Sequence, residues 1–187
     1  MKLVRRASVA VLGAVAVSLA LTACGPSAAN TVETKANGAG PAASQNAPAK
    51  VGDTLTLKGI DNGAKADVTV LKVVDGPNAT DDVDAVPAGK RYFAVQFQIK
   101  NSGTKGYNDA PSNSAKVVDA TGQTFASTTT YTDTTAGPDF PTIVDIAPGD
   151  LSTGYIVFQV PADSQITKVQ FGLDSGWSDH TGQWTIA

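Results

Sequence analysis

The feature that most constrains the fold is a strict alternation of apolar and polar side chains between Arg91 and Lys100. The large apolar residues occupy every second position of this run: Phe93, Val95, Phe97 and Ile99. The residues that face the opposite way include Tyr92, Gln96 and Gln98. Because successive side chains of a β-strand point to opposite faces, the pattern predicts a strand with one buried and one solvated face.

Weaker runs of the same period fill the remainder of residues 51–187 and are separated by turns rich in Gly, Pro and Asp. They lie at residues 54–58, 68–73, 117–125, 154–160, 166–173 and 183–186. No segment shows the period of an amphipathic helix. About seven to eight short strands of this kind predict an all-β fold, an antiparallel β-sandwich, and a closed barrel is the alternative topology.

The N-terminus has the order of a bacterial lipoprotein signal. A positive region contains Lys2, Arg5 and Arg6, and the apolar run 9–21 that follows is shorter than the roughly 20 residues of a membrane-spanning helix. The run closes on Leu21-Thr22-Ala23-Cys24, the arrangement of a lipobox, in which the cysteine thiol receives a diacylglycerol. We therefore predict a signal peptide over residues 1–23 and lipidation at Cys24. Sec export is favoured over twin-arginine export, because the residues after Arg5-Arg6 are not bulky and apolar.

Two acyl chains anchor a protein stably, so the mature chain is expected on the extracytoplasmic face of the bacterial cell membrane. Residues 25–50 are mostly small and polar and cannot bury enough apolar surface to order themselves, which predicts a disordered tether over residues 24–50. Residues 51–187 are the predicted folded domain. Because Cys24 is the only cysteine, no internal disulfide can stabilise that domain.

The charge of the mature chain excludes one class of partner. Loss of residues 1–23 removes three of the 14 basic residues and none of the 17 acidic ones, which leaves a net charge of about −6. An acidic domain without a basic cluster is a poor ligand for nucleic acid. It also gives no electrostatic attraction to anionic headgroups, so the lipid alone must provide the anchor.

Three ordered segments resemble a known family. Residues 89–103 (GKRYFAVQFQIKNSG), 118–122 (VDATG) and 147–161 (with Ala-Pro-Gly, then GYIVFQVP) are similar in order and spacing to the DUF4352 family. The resemblance covers residues 51–187 and implies an immunoglobulin-like sandwich, similar to small secreted mycobacterial immunoglobulin-like antigens. It implies no activity, because the family has no common catalytic site. The acidic loop 75–87 and the threonine-rich stretch 127–135 depart from the family pattern, and such loops are where specific functions reside.

The sequence offers no catalytic constellation. The sole histidine, His180, lies in a polar turn, and neither a nucleophile with a positioned base nor a set of soft metal ligands can be assembled around it. We therefore expect neither an enzyme nor a bound cofactor.

Two weaker binding candidates are present. Asp81, Asp82 and Asp84 offer carboxylate oxygens to calcium, but their spacing lacks the pattern of a calcium loop and its closing glutamate, which favours a solvated loop. Trp177 follows Gly176 in a turn and is a weak candidate platform for stacking on a glycan, because aromatic residues near strand ends of a sandwich more often pack in the core or at the rim.

Taken together, these features predict a lipid-anchored, non-enzymatic immunoglobulin-like domain that acts as a protein-interaction module of the cell envelope. A module that binds a small ligand, calcium or a glycan is the alternative.

Overall fold

The computed structural model describes residues 33–35, 49–81, 85–128 and 133–186. Within them lie twelve strands: β1 (Glu33–Lys35), β2 (Ala49–Lys50), β3 (Thr54–Lys58), β4 (Lys65–Asp75), β5 (Lys90–Asn101), β6 (Tyr107–Asp109), β7 (Ala115–Asp119), β8 (Thr124–Ala126), β9 (Val144–Ile146), β10 (Leu151–Pro161), β11 (Ile166–Gly172) and β12 (Thr181–Thr185). A single helical turn, α1 (Pro111–Ser114), precedes β7, and a 3-10 turn (Asp174–Gly176) joins β11 to β12.

Ten of these strands form two five-stranded sheets. The first sheet has the order β1-β3-β4-β5-β10 and the second has the order β2-β12-β11-β7-β8, while β6 pairs with β9 separately. Every pairing is antiparallel except that of β2 with β12. The predicted all-β sandwich is confirmed. It has more strands than the seven or eight predicted, because five of the twelve have only two or three residues and carry no periodic signal of their own.

The main core lies between the two sheets. The alternating residues of β5 supply its centre, and Phe97, Val95 and Ile99 have no exposed surface. The ring of Phe97 packs against that of Phe171 from β11, with centroids 5.2 Å apart. The inward-facing set predicted for the longest strand is therefore the set that holds the two sheets together.

The outer face of the first sheet differs from the sequence-based expectation. Tyr92 of β5 points away from the core, as predicted, yet only 3% of it is exposed. It forms a second apolar cluster with Ala94, Tyr155 and Val157, against which Ala79 and Ala136 pack. The cover consists of the segments 76–81 and 133–140, which are joined by backbone hydrogen bonds and lie on β10. The first segment lies in the acidic loop 75–87, and the second begins in the threonine-rich stretch 127–135 and extends beyond it; both bury this face.

The boundaries near the tether also differ from the predicted ones. Ala49 and Lys50 form β2, which pairs with β12 at the edge of the second sheet, so the folded region begins two residues before the predicted start. Within the predicted tether, the backbone of Glu33–Lys35 pairs with β3 as an additional edge strand. The signal peptide 1–23, the lipidation site Cys24 and the rest of the tether lie outside the described residues.

Candidate functional site

The most exposed large apolar side chain of the described residues is that of Trp177, which is 80% exposed. It follows the 3-10 turn directly and is the C-cap of that turn. The second tryptophan, Trp184, is fully buried, and its indole nitrogen donates a hydrogen bond to the Asp53 carbonyl oxygen at 2.9 Å. One tryptophan therefore stabilises the core, and the other is presented to solvent.

The turn that carries Trp177 has an unusual backbone. Asp174, Ser175 and Gly176 have φ angles of 56°, 55° and 82°, three successive residues in the left-handed region. For a residue with a Cβ this conformation costs roughly 1–2 kcal/mol, so surrounding contacts must hold Asp174 and Ser175 in place. Within the turn, the Trp177 amide donates to the Asp174 carbonyl oxygen at 3.0 Å.

The buried carboxylate of Asp109 provides the main contact that holds this turn. Its oxygens accept hydrogen bonds from Ser175 Oγ (2.7 Å), Ser175 N (3.0 Å), Tyr107 Oη (2.7 Å), Ala110 N (2.8 Å) and Ser114 Oγ (3.3 Å). Burial by itself raises the pKa of Asp109, but the hydrogen bonds from Ser175, Tyr107 and Ala110 outweigh it and hold the pKa below its ordinary value of 3.8. Asp109 therefore stays ionised and fixes Ser175 from both its backbone and its side chain.

The neighbouring phenol keeps its proton. Burial, followed by the charge of Asp109 and the hydrogen bond to it, raises the pKa of Tyr107 above its usual range. Tyr107 is thus a permanent donor to Asp109, and this pair is a structural support. It is not suited to proton transfer near neutral pH, because neither group changes its protonation there.

A second carboxylate joins the turn to the loop between β3 and β4. Asp174 Oδ2 accepts a hydrogen bond from the Ile60 amide at 2.6 Å. Gly59 allows this approach, since a Cβ there would lie 2.8 Å from the Ala64 Cβ and 2.9 Å from Asp174 Oδ2. Ile60 itself is 65% exposed, so a second large apolar side chain is held next to the turn that carries Trp177.

A shallow groove lies at the same end of the sandwich, beside β9 and the start of β10. Its volume is about 660 Å³, and its lining includes Ile143, Leu151, Asp145 and Asp150. Ile143 and Leu151 are both more than half exposed. Four of the six exposed large apolar residues of the described chain are thus at this end: Ile60, Ile143, Leu151 and Trp177. We call this surface, with the loops 59–64 and 173–180, the Trp177 end.

The remaining sequence candidates do not come together. Of the predicted calcium ligands, Asp81 is described, while Asp82 and Asp84 lie outside the described residues. The described residues contain no group of three or more His, Cys, Asp or Glu side chains placed to hold a metal ion. His180 is half-buried, and its carbonyl oxygen accepts a hydrogen bond from Ser178 Oγ at 3.1 Å. None of the helices in the described part of the chain has the length and apolar character needed to cross a membrane.

Comparison with known proteins identifies the family of this chain. Residues 50–181 match the family DUF4352, a domain of unknown function, and the chain belongs to that family. The resemblance seen in the sequence is therefore confirmed. No curated protein matches the chain at a significant level.

Three solved bacterial structures share the sandwich. The secreted protein MPT63 of Mycobacterium tuberculosis superposes with a TM-score of 0.51 at 19% identity, covering 75% of this chain and 98% of MPT63. The yjhA protein of Bacillus subtilis gives 0.50 at 11% identity, covering 74% and 99%. The ycdA protein of the same organism, which has been proposed to be a lipoprotein, gives 0.50 at 14% identity, covering 70% of this chain and 38% of ycdA. At these identities the likeness establishes an immunoglobulin-like β-sandwich and no activity.

Proposed function

We propose that this chain is a lipid-anchored extracytoplasmic protein whose immunoglobulin-like domain, without catalysing a reaction, binds another protein of the cell envelope through the Trp177 end. The observation that carries the proposal is the 80% exposure of Trp177 on a turn fixed by the buried Asp109. Exposed tryptophans on rigid supports are typical anchors of protein interfaces, because they bury a large area at little entropic cost.

The anchor rests on the sequence and is supported by the relatives. Cys24 closes a lipobox, and the residues from 25 onward leave a spacer before the folded region at Ala49. A secreted protein and a protein proposed to be a lipoprotein have the same fold. A lipid-anchored module on a spacer can reach partners in the membrane or in the adjoining wall layer.

The interaction surface is tested by crosslinking in the native cell, followed by recovery of the protein and mass spectrometry. Trp177→Ala should weaken capture of the main partner by about tenfold or more, as expected for an interface anchor. Leu71→Ala is the matched control, since Leu71 is an exposed apolar residue of β4. Equal capture by the wild type and Trp177→Ala would overturn the proposed surface.

A glycan is the second candidate for Trp177, because an exposed indole also stacks on the apolar face of a sugar ring. Calorimetry of the purified protein with soluble wall glycans separates the two functions. Binding that Trp177→Ala abolishes, without a protein partner in the crosslinking experiment, would replace the first proposal by the second.

The lipid anchor has its own test. The peptide that carries Cys24 should have the added mass of a diacylglycerol, and Cys24→Ser should move the protein from the membrane fraction to the medium or periplasm. An unmodified Cys24 in the mature protein would overturn the anchor and leave the Trp177 surface unaffected.

A further inference from the structure

The first sheet ends on a strand contributed by the predicted tether. Glu33 lies opposite Thr56, Thr34 opposite Leu55 and Lys35 opposite Thr54, so the backbone of β1 occupies the free edge of β3. Without β1, the outer backbone groups of β3 would be an open sheet edge, the kind of surface that accepts an added strand. The tether thus fills a strand-acceptor edge of its own domain.

The direction of β1 decides where the anchor lies. β3 runs from Thr54 to Lys58 and leads directly into the loop that holds Ile60, at the Trp177 end. Because β1 is antiparallel to β3, its first residue, Glu33, lies nearer to the Trp177 end than its last residue, Lys35. Paired β1 therefore directs that end toward the membrane in which Cys24 is proposed to be anchored.

Pairing of β1 also shortens the stretch of chain between Cys24 and the first residue that joins a sheet. Eight residues separate Cys24 from Glu33, whereas 24 separate Cys24 from Ala49. At about 3.4 Å per residue, the greatest reach is roughly 30 Å with β1 paired and roughly 85 Å with β1 released. Release of β1 would therefore lengthen the greatest distance between the anchor and the folded domain almost threefold.

A strand of three residues is well suited to exchange between these arrangements. Its few backbone hydrogen bonds stabilise pairing by about as much as the ordering of three residues opposes it. Neither arrangement is then strongly favoured, and a small difference in binding energy is enough to shift the population.

We propose that pairing of β1 with the β3 edge regulates the Trp177 end, holding it close to and facing the membrane, and that release of β1 extends it into the wall layer. This inference depends on the lipid anchor of the proposed function but not on the identity of a partner. It implies that a partner reached with β1 paired lies at the membrane surface.

Energy transfer from Trp177 to a headgroup-labelled lipid measures the predicted distance. The diacylated full-length protein is placed in phosphatidylcholine vesicles that contain a small fraction of dansyl lipid. The contribution of Trp177 is the difference between the wild type and Trp177→Phe, which retains the buried Trp184. The wild type should show clear transfer from Trp177.

Proline substitutions in β1 should reduce this transfer to less than half, because proline cannot complete a strand ladder. Thr34→Pro and Lys35→Pro are both made, since only alternate residues direct their amide groups to the partner strand. Ala43→Pro is the matched control, a proline in the predicted tether outside β1. Circular dichroism confirms that each variant is folded.

The outcomes are distinguishable. Reduced transfer in either β1 variant but not in Ala43→Pro supports the inference. Equal transfer in all variants, with diacylated Cys24 verified by mass spectrometry, overturns the β1 mechanism and leaves the proposed function intact. If Cys24 is not diacylated, the anchor and this inference fail together, while partner binding through Trp177 remains to be judged by the crosslinking experiment.

Discussion

At the scale of single residues, the turn that carries Trp177 is held by the buried carboxylate of Asp109. Asp109 lies at the end of β6 and is 66 positions from Ser175, yet it holds the backbone and the hydroxyl of that residue. Charge-assisted hydrogen bonds of this kind are roughly twice as strong as neutral ones, which suits them to hold a left-handed turn. The exposed position of Trp177 therefore depends on a residue that itself has almost no contact with solvent.

Asp109→Asn should destabilise the domain by about 1–3 kcal/mol at neutral pH, because the amide group replaces an acceptor where the donors of Ser175 and Tyr107 converge. Urea unfolding followed by circular dichroism measures the loss. The exposed Asp145→Asn, on the adjacent strand β9, is the control and should change stability by less than about 0.5 kcal/mol. Equal effects of the two variants would show that Asp109 does not support the turn.

The pH dependence of stability should change in the same variant. The pKa of Asp109 is lower in the folded protein than its ordinary value of 3.8, so the unfolded chain binds the proton more readily. The stabilisation by Asp109 is therefore complete above that ordinary value and is lost as the pH falls through the folded-state pKa. Between neutral pH and about pH 3, the stability gap between wild type and Asp109→Asn should narrow. A stability difference that stays constant over this pH range would contradict the lowered pKa of Asp109.

At the scale of elements, the strands can be predicted from the local sequence pattern, whereas the burial of a sheet's outer face by loops cannot. The alternation of Arg91–Lys100 predicted β5 to within one residue at each end, whereas the predicted run 117–125 is divided by a turn into β7 and β8. The burial of Tyr92 was missed, because the loops that cover it lie far from it in the chain. The sequence left open whether Trp177 is exposed or packs against the sandwich, and the support from Asp109 was not foreseen, since nothing local links Asp109 to residue 175.

Gly154 shows how the covering loop constrains a strand. A Cβ at this position of β10 would collide with the backbone Cα and nitrogen of Phe140. Gly154→Ala should therefore destabilise the domain by at least about 2 kcal/mol, because backbone cannot move aside cheaply. Gly122→Ala is the comparison: its φ is +91° and no atom lies within 4 Å of the added Cβ, so only the backbone cost of about 1 kcal/mol is expected. In thermal unfolding, the melting temperature of Gly154→Ala should be well below that of Gly122→Ala. The reverse order would show that the loop does not lie on β10.

At the scale of the whole molecule, two sheets without a disulfide are held together by side-chain packing. The main core cluster draws on both sheets, and the rings of Phe97 from the first and Phe171 from the second are in contact across it. Arg91 adds a polar connection at the end opposite Trp177, where it contacts Asp75 and donates to the carbonyl oxygens of Pro161 and Ser164. The Trp177 end is consequently the part where loops, rather than sheet contacts, define the surface.

Packing of Phe97 against Phe171 predicts that the two sheets unfold as one unit. Phe97→Leu and Phe171→Leu should each lower the free energy of unfolding by about 1–2 kcal/mol. The double variant should lose about 0.5–1.5 kcal/mol less than the sum of the two single losses, because the aromatic pair is already removed by the first substitution. Chemical denaturation of the wild type, the two single variants and the double variant gives the coupling energy between the two rings. Because Trp184 is buried in the same cluster, its fluorescence and the circular dichroism of the domain should report one unfolding transition. Additive losses with separate transitions for the two probes would instead mean that each sheet is stabilised independently.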